Sequence, residues 1–284
     1  MDEFKKNLKQ STGMRVFIFL MAFLVCTLTG SAIAAFFTLG GNIIMLKIGQ
    51  GLSSTLMFIA PPVILYAITR ERPMDQLGFR KPVKSWMLLI GVALMFVSLP
   101  LTNILGDWNA KVNFGALENW LKMLEDAAGD LTQRMLEVDT IWGLMGNLLV
   151  IALIPAIGEE LTFRSVLQQA LTKRCNVHLS VFLSAFIFSF IHFQFYGFLP
   201  RLFLGLLLGY LFYYSGSIWT TILMHFINNG TAVVMGYLEY KGYTNMEWEH
   251  FGSTSNVAVL VASLVITIGM IWIVAKKQSN YGRK

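Results

Sequence analysis

An all-α bundle of about eight membrane-spanning helices is the fold that this sequence predicts, and three observations predict it. Of 284 residues, 55% are hydrophobic and only 13% charged, against roughly a quarter charged in ordinary soluble domains. The apolar residues fall in separate stretches of about twenty, the length that crosses a hydrocarbon layer roughly 30 Å thick. Lys and Arg gather at the ends of these stretches, so the net charge of +6 reads as membrane-flanking charge and not as a nucleic-acid surface.

In order, the apolar runs cover roughly residues 14–37, 51–69, 85–105, 140–172, 177–195, 198–214, 217–238 and 256–275. An even number of spans puts both termini on one side. With that side cytoplasmic, the inner basic residues are Lys5, Lys6, Lys9, Arg15, Arg70, Arg72, Arg80, Lys81, Lys84, Lys173, Arg174, Lys276, Lys277, Arg283 and Lys284. The outer ones are only Lys47, Lys111, Lys122, Arg134 and Lys241, while Arg164 and Arg201 lie within or at the edge of spans. This excess of inner positive charge is what orients membrane proteins. Ala32-Ile33-Ala34 resembles a cleavage site, so the first run is alternatively a removed signal, which leaves the other seven oriented as before.

Between the third and fourth runs, residues 107–139 form the longest polar stretch, with Leu117, Trp120, Leu121, Leu124 and Leu131 at roughly helical spacing. It reads as an amphipathic helix on the outer surface, capping the bundle, with substrate handling as the lesser alternative. Cys26, in an apolar run, and Cys175, in a basic turn, imply neither a disulfide framework nor a thiolate metal site. No repeat or second soluble domain interrupts the chain, so 1–284 is expected to be a single integral membrane domain with a core of about 140–240.

The chemistry concentrates in that core. Glu159, Glu160 and Arg164 interrupt the fourth run, where an ionised group costs about 2.5 to 3.5 kcal/mol and so needs a partner or a function. Glu160 and Arg164, four apart on one helix face, are expected to pair. Glu159 points about 100° away and is left without a partner on its own helix. Pro155 in the same run is expected to disturb the helix. The fifth run ends at His192, and the seventh carries His225 and Asn229 on one face. Counted at 1.5 Å per residue, Glu159 and His192 lie ~24 and ~26 Å from the Cys175 turn, and His225 and Asn229 ~14 and ~20 Å from the Gly216 turn. All four groups are therefore expected to converge in one layer beneath the cytoplasmic side.

Glu159-Glu160-x-x-x-Arg164, Phe188-x-x-x-His192 and His225-x-x-x-Asn229 resemble, in order and on successive helices, the three motifs of the CAAX-protease and bacteriocin-processing (CPBP) family of intramembrane endopeptidases. Leu77-Gly78-Phe79-Arg80 is similar to that family's basic loop before the core. The resemblance implies hydrolysis of a peptide bond in a membrane-associated protein or peptide, prenylated for some relatives, with the bilayer as the other partner and no nucleic acid. By the same resemblance Glu159 and His192 would hold and deprotonate a water, His225 and Asn229 would donate to the oxyanion, and Glu160 with Arg164 would shape the cavity. The implied place is the inner or plasma membrane, with the active site opening to the cytoplasm. Members are often labelled metalloproteases, and Glu159, His192 and His225 would be the zinc ligands in that alternative. The lack of a His-Glu-x-x-His helix and the presence of Asn229 favour a metal-independent glutamate mechanism with no cofactor. An inactive scaffold or bacteriocin-immunity protein is the competing reading. A transporter fits less well, because no inverted repeat is visible.

Overall fold

The computed structural model describes residues 12–39, 41–69 and 71–281. Lys5, Lys6, Lys9, Arg70, Arg283 and Lys284, which enter the charge count above, lie outside the described residues. The chain forms α1 (Thr12–Leu39), α2 (Ile43–Thr69), α3 (Ser85–Val97), α4 (Leu99–Asn109), α5 (Glu118–Leu136), α6 (Ile141–Thr172), α7 (Val177–Phe190), α8 (Phe198–Ser215), α9 (Ile218–Tyr240) and α10 (Val257–Tyr281). No strand occurs among the described residues, so the expected all-α class holds.

Local chemistry sets the boundaries. The Asn42, Thr140 and Asn176 side chains accept from the Ile44, Gly143 and Leu179 N–H groups and start α2, α6 and α7, as short polar residues do at N-caps. Gly216, in the left-handed region at φ 65°, ends α8, which costs glycine no steric strain. Pro100 follows Ser98, where α3 and α4 meet at 41°; proline is the common cause of so sharp a break.

Among the described residues, five helical stretches are long and apolar enough to cross a membrane: 13–39, 43–69, 141–172, 195–215 and 257–278, with the bent α3–α4 pair as a sixth. This marks an integral membrane protein. The other two expected spans are α7, only 14 residues long, and α9, which is interrupted by His225, Asn228 and Asn229. α9 carries His225 and Asn229, and His192 follows the end of α7. Phe17 and Leu28 on α1 and Val257 and Val265 on α10 are 59–70% exposed, as lipid-facing side chains should be. Ala32–Ala34, the candidate cleavage site, lies inside α1.

Inside the bundle, Leu94 and Met95 of α3, Leu207, Leu208 and Leu211 of α8 and Met224 of α9 form one buried cluster. α7 and α8 lie against each other through Gly205, where a Cβ would fall 2.9 Å from Ala185 Cβ and 3.1 Å from Ala185 Cα. That neighbour is backbone-proximal and cannot yield. Gly205→Val is expected to destabilise the protein by about 1–3 kcal/mol, the usual cost of overpacking, outweighing any gain in helix propensity. A thermal midpoint at or above that of the wild type in detergent would contradict this.

The amphipathic helix expected within 107–139 is α5. It buries Leu121, Met135 and Leu136, while Leu117 and Trp120 of the expected apolar face are 58% and 50% exposed. The Asn147 amide of α6 donates to Met135 O at 2.7 Å, and Glu125 accepts from the Tyr196 N–H at 3.1 Å. α5 thereby lies across the connection between α7 and α8.

Candidate active site

Two departures from α-helical winding shape α6 around its carboxylates. Pro155 has no N–H, and its ring crowds the carbonyl four residues back. The preceding turn, Leu148–Leu153, is widened, so that the Ile154 N–H donates to Leu149 O, five residues away. α2 does the same before Pro61 and Pro62, with the Ala60 N–H donating to Thr55 O. A second wide stretch, Glu160–Gln168, begins at the second glutamate; wide turns of this kind recur at functional sites.

Cross-helix hydrogen bonds then fasten α6, as they must where lipid offers no partner. The Thr162 hydroxyl donates to Phe58 O of α2 at 2.7 Å and Ser165 to Leu77 O at 2.7 Å. Ser184 of α7 donates to Phe163 O at 2.9 Å, and the Gln168 amide to Gly209 O of α8 at 2.9 Å. Gly158 admits α2, since a Cβ there would meet Phe58 Cβ at 2.7 Å.

Glu160 and Arg164 are fully buried, and Glu160 Oε2 lies 3.2 Å from Arg164 Nε, the pairing expected from their spacing. Neither atom has a partner of hydrogen-bonding geometry, so the contact is an ion pair and not a directed bond. Arg164 also stands over the Phe188 ring, 5.2 Å from its centre, a cation–π placement. From α9, His225 Nδ1 donates to Glu160 Oε1 at 2.9 Å, while His225 Nε2 lies 3.6 Å from Glu159 Oε2.

One imidazole therefore faces both glutamates. Glu159, without a partner on its own helix, receives one from another. At 3.6 Å the His225–Glu159 approach is a charge contact beyond hydrogen-bonding distance, so Glu160 holds the imidazole while Glu159 faces its far edge.

His192 lies just past the end of α7, which stops at Phe190 and not at 195 as expected. Its Nδ1–H donates to Phe188 O at 2.7 Å, which fixes the tautomer and leaves Nε2 as an acceptor. The Phe188 ring makes T-shaped contacts with His192 at 5.1 Å and with His225 at 5.9 Å, so both imidazoles pack against one aromatic ring. Phe193 follows at φ 54°, a left-handed conformation unfavourable for a bulky residue, and turns the chain sharply away. Asn229, one turn beyond His225, accepts from Asn228 at 3.1 Å; it makes no hydrogen bond to the glutamates or histidines.

The structure thus joins Glu159, Glu160, Arg164 and His225 directly, sets His192 beside them through Phe188, and leaves Asn229 adjacent. Among the described residues, no three His, Cys, Asp or Glu side chains gather in a way that would hold a metal ion. Glu159, His192 and His225 are thus not spaced as a ligand set.

The same six residues lie within 141–231, which matches the family described as type II CAAX prenyl endopeptidase Rce1-like. The core is similar to the proteases of that family. Over 199 residues, covering 70% of this chain and 77% of the relative, the CPBP-like sequence is 26% identical to the "Putative membrane peptidase YdiL" of Bacillus subtilis (strain 168). No solved structure matches it. At the level of the family, the match supports a membrane protease.

Two residues near this core were not among the expected site residues. Gln194 and Arg201 meet behind His192, with the Arg201 guanidinium donating to the Gln194 carbonyl and, at 3.3 Å, to its side chain. The available signal was a cation inside an apolar helix, which is expensive and rarely idle.

Proposed function

We propose that this protein is an intramembrane endopeptidase that cuts a membrane-anchored protein or peptide with water activated by Glu159. The observation carrying the reading is that His225 addresses both buried glutamates while a second imidazole, His192, presents a free Nε2 close by. Glu159 takes a proton from the water as its oxygen attacks the peptide carbonyl carbon, with His192 Nε2 accepting the water's other hydrogen. Asn229 and His225, the latter oriented by Glu160, donate to the oxyanion. The proton on Glu159 then passes to the leaving nitrogen as the C–N bond breaks. Glu160 and Arg164 act by positioning His225.

The mechanism needs no metal. Elemental analysis of active protein and cleavage after chelation test this, and zinc at one equivalent with chelator-sensitive activity would overturn it. Asn229→Ala is expected to lower turnover roughly 10²- to 10³-fold, as loss of one oxyanion donor does, and near-normal cleavage by the folded variant would remove that role. Comparing new peptide ends in membranes with and without the enzyme identifies the substrate and any lipid on it.

Eight spans forming one domain over 1–284, with both termini cytoplasmic, in a plasma or inner membrane, complete the proposal. Two expectations collide within it. The charge count places 107–139 outside, whereas the resemblance has the site open to the cytoplasm, and α5 lies over the connection that follows His192. We take the charge count as the stronger physical constraint and infer a mouth beneath α5, in the outer half. Cys175 supplies the test. It lies in the basic turn and Cys26 is buried, so an impermeant maleimide should label Cys175 only after intact cells are opened; labelling before that reverses the orientation.

A further inference from the structure

Arg201 sits in the first turn of α8, where the helix dipole already presents positive charge. A cation there is unfavourable without an anion. Its guanidinium lies over Gly197, where a Cβ would come within 2.7 Å of Nη1 and 3.0 Å of Cζ, and is anchored on one side by the Gln194 carbonyl and side chain. Among the described residues it forms no ion pair, and its buried Nε has no acceptor. Glu125 is within electrostatic reach, as are Glu159 and His192, but Glu125 spends an oxygen on the Tyr196 N–H. The nearby helix-end amide of Leu199 is taken by Asn109 Oδ1 at 2.6 Å, so the unfilled donor capacity at this end of α8 belongs to the arginine.

We propose that Arg201 receives a carboxylate of the substrate, either a free C-terminus or an acidic side chain near the cut, and so sets where along the chain the bond is broken. The inference rests on the endopeptidase reading above and adds to it a specificity-determining residue. A guanidinium presents a planar fork matched to a carboxylate, and the Gln194 and Gly197 contacts hold that fork against the segment that follows His192. If Arg201 served only to anchor Gln194, the chemical form of the substrate would not matter to it.

The test uses the full chain in liposomes and peptides prepared from membrane proteins in three forms: carboxylates free, all carboxylates amidated, and only the C-termini free. New N-termini are counted by mass spectrometry. The free form should be cut with a kcat/KM about tenfold or more above the fully amidated form, and that ratio should fall to near one in Arg201→Gln and lie between in Arg201→Lys. Cleavage of the third form says which carboxylate is read. Equal cleavage of free and amidated peptides by the wild type, or a ratio preserved in Arg201→Gln, overturns the proposal even if Glu159→Gln is inactive. Should the wild type produce no cuts beyond those of Glu159→Gln, the endopeptidase reading itself fails and this inference with it.

Discussion

Glu159→Gln should lower the rate of peptide cleavage by roughly 10²- to 10⁴-fold, the range ascribed to a positioned general base, while leaving the protein folded. Gln has nearly the same shape as Glu, and the Glu160–His225 and Glu160–Arg164 contacts do not involve the substituted side chain. The measurement is single-turnover cleavage in liposomes beside a thermal midpoint, so that lost chemistry is separated from lost structure. In cells, an uncut membrane protein should accumulate. A Glu159→Gln protein that retains more than a small fraction of wild-type cleavage would remove this carboxylate from the reaction. One that keeps its full biological effect would point to a scaffold.

Arg164→Ala should have the largest effect on stability. The guanidinium is fully buried between Glu160 and the Phe188 ring, and removing one member of a buried ion pair costs about 3–5 kcal/mol because the other charge is stranded. That is a large part of the roughly 5–15 kcal/mol that holds a typical protein folded. The variant should accumulate poorly and unfold at lower denaturant in detergent. Adding Glu160→Gln should recover part of the loss, since no net charge then remains buried at this position. The double variant would still lack the carboxylate that orients His225, and so should remain slow. An unchanged midpoint for Arg164→Ala would mean that the pair is not structurally important.

Much of this was legible in the chain. Apolar run lengths place all the long helices, and residue spacing foretells the Glu160–Arg164 pair. Depth counting brings α6, α7 and α9 to one layer, because helices rise by a fixed distance per residue. What it misses is lateral geometry. A 100° separation between Glu159 and Glu160 assumes regular winding, and α6 abandons that winding at Glu160, so one histidine reaches both. Helix ends were also misjudged: α2 begins at Ile43 and not near 51 because Asn42 caps it, and α7 stops early where Phe193 takes a left-handed turn. Arg201 was visible as a charge in an apolar run, but its relation to Gln194 and Gly197 depends on how the 191–197 segment folds back.

The brevity of α7 has a further consequence for how the bilayer meets this protein. Fourteen helical residues extend only about 21 Å, roughly a third less than the hydrocarbon thickness. Lipid tails beside α7 therefore face a notch bordered by irregular backbone and polar side chains, which they cover poorly. The surrounding leaflet should thin there, drawing headgroups and hydration down to His192 without any pore through the protein. An incoming segment would exchange its own helical hydrogen bonds for that wetted rim, which favours sequences that unwind readily over those that form stable helices.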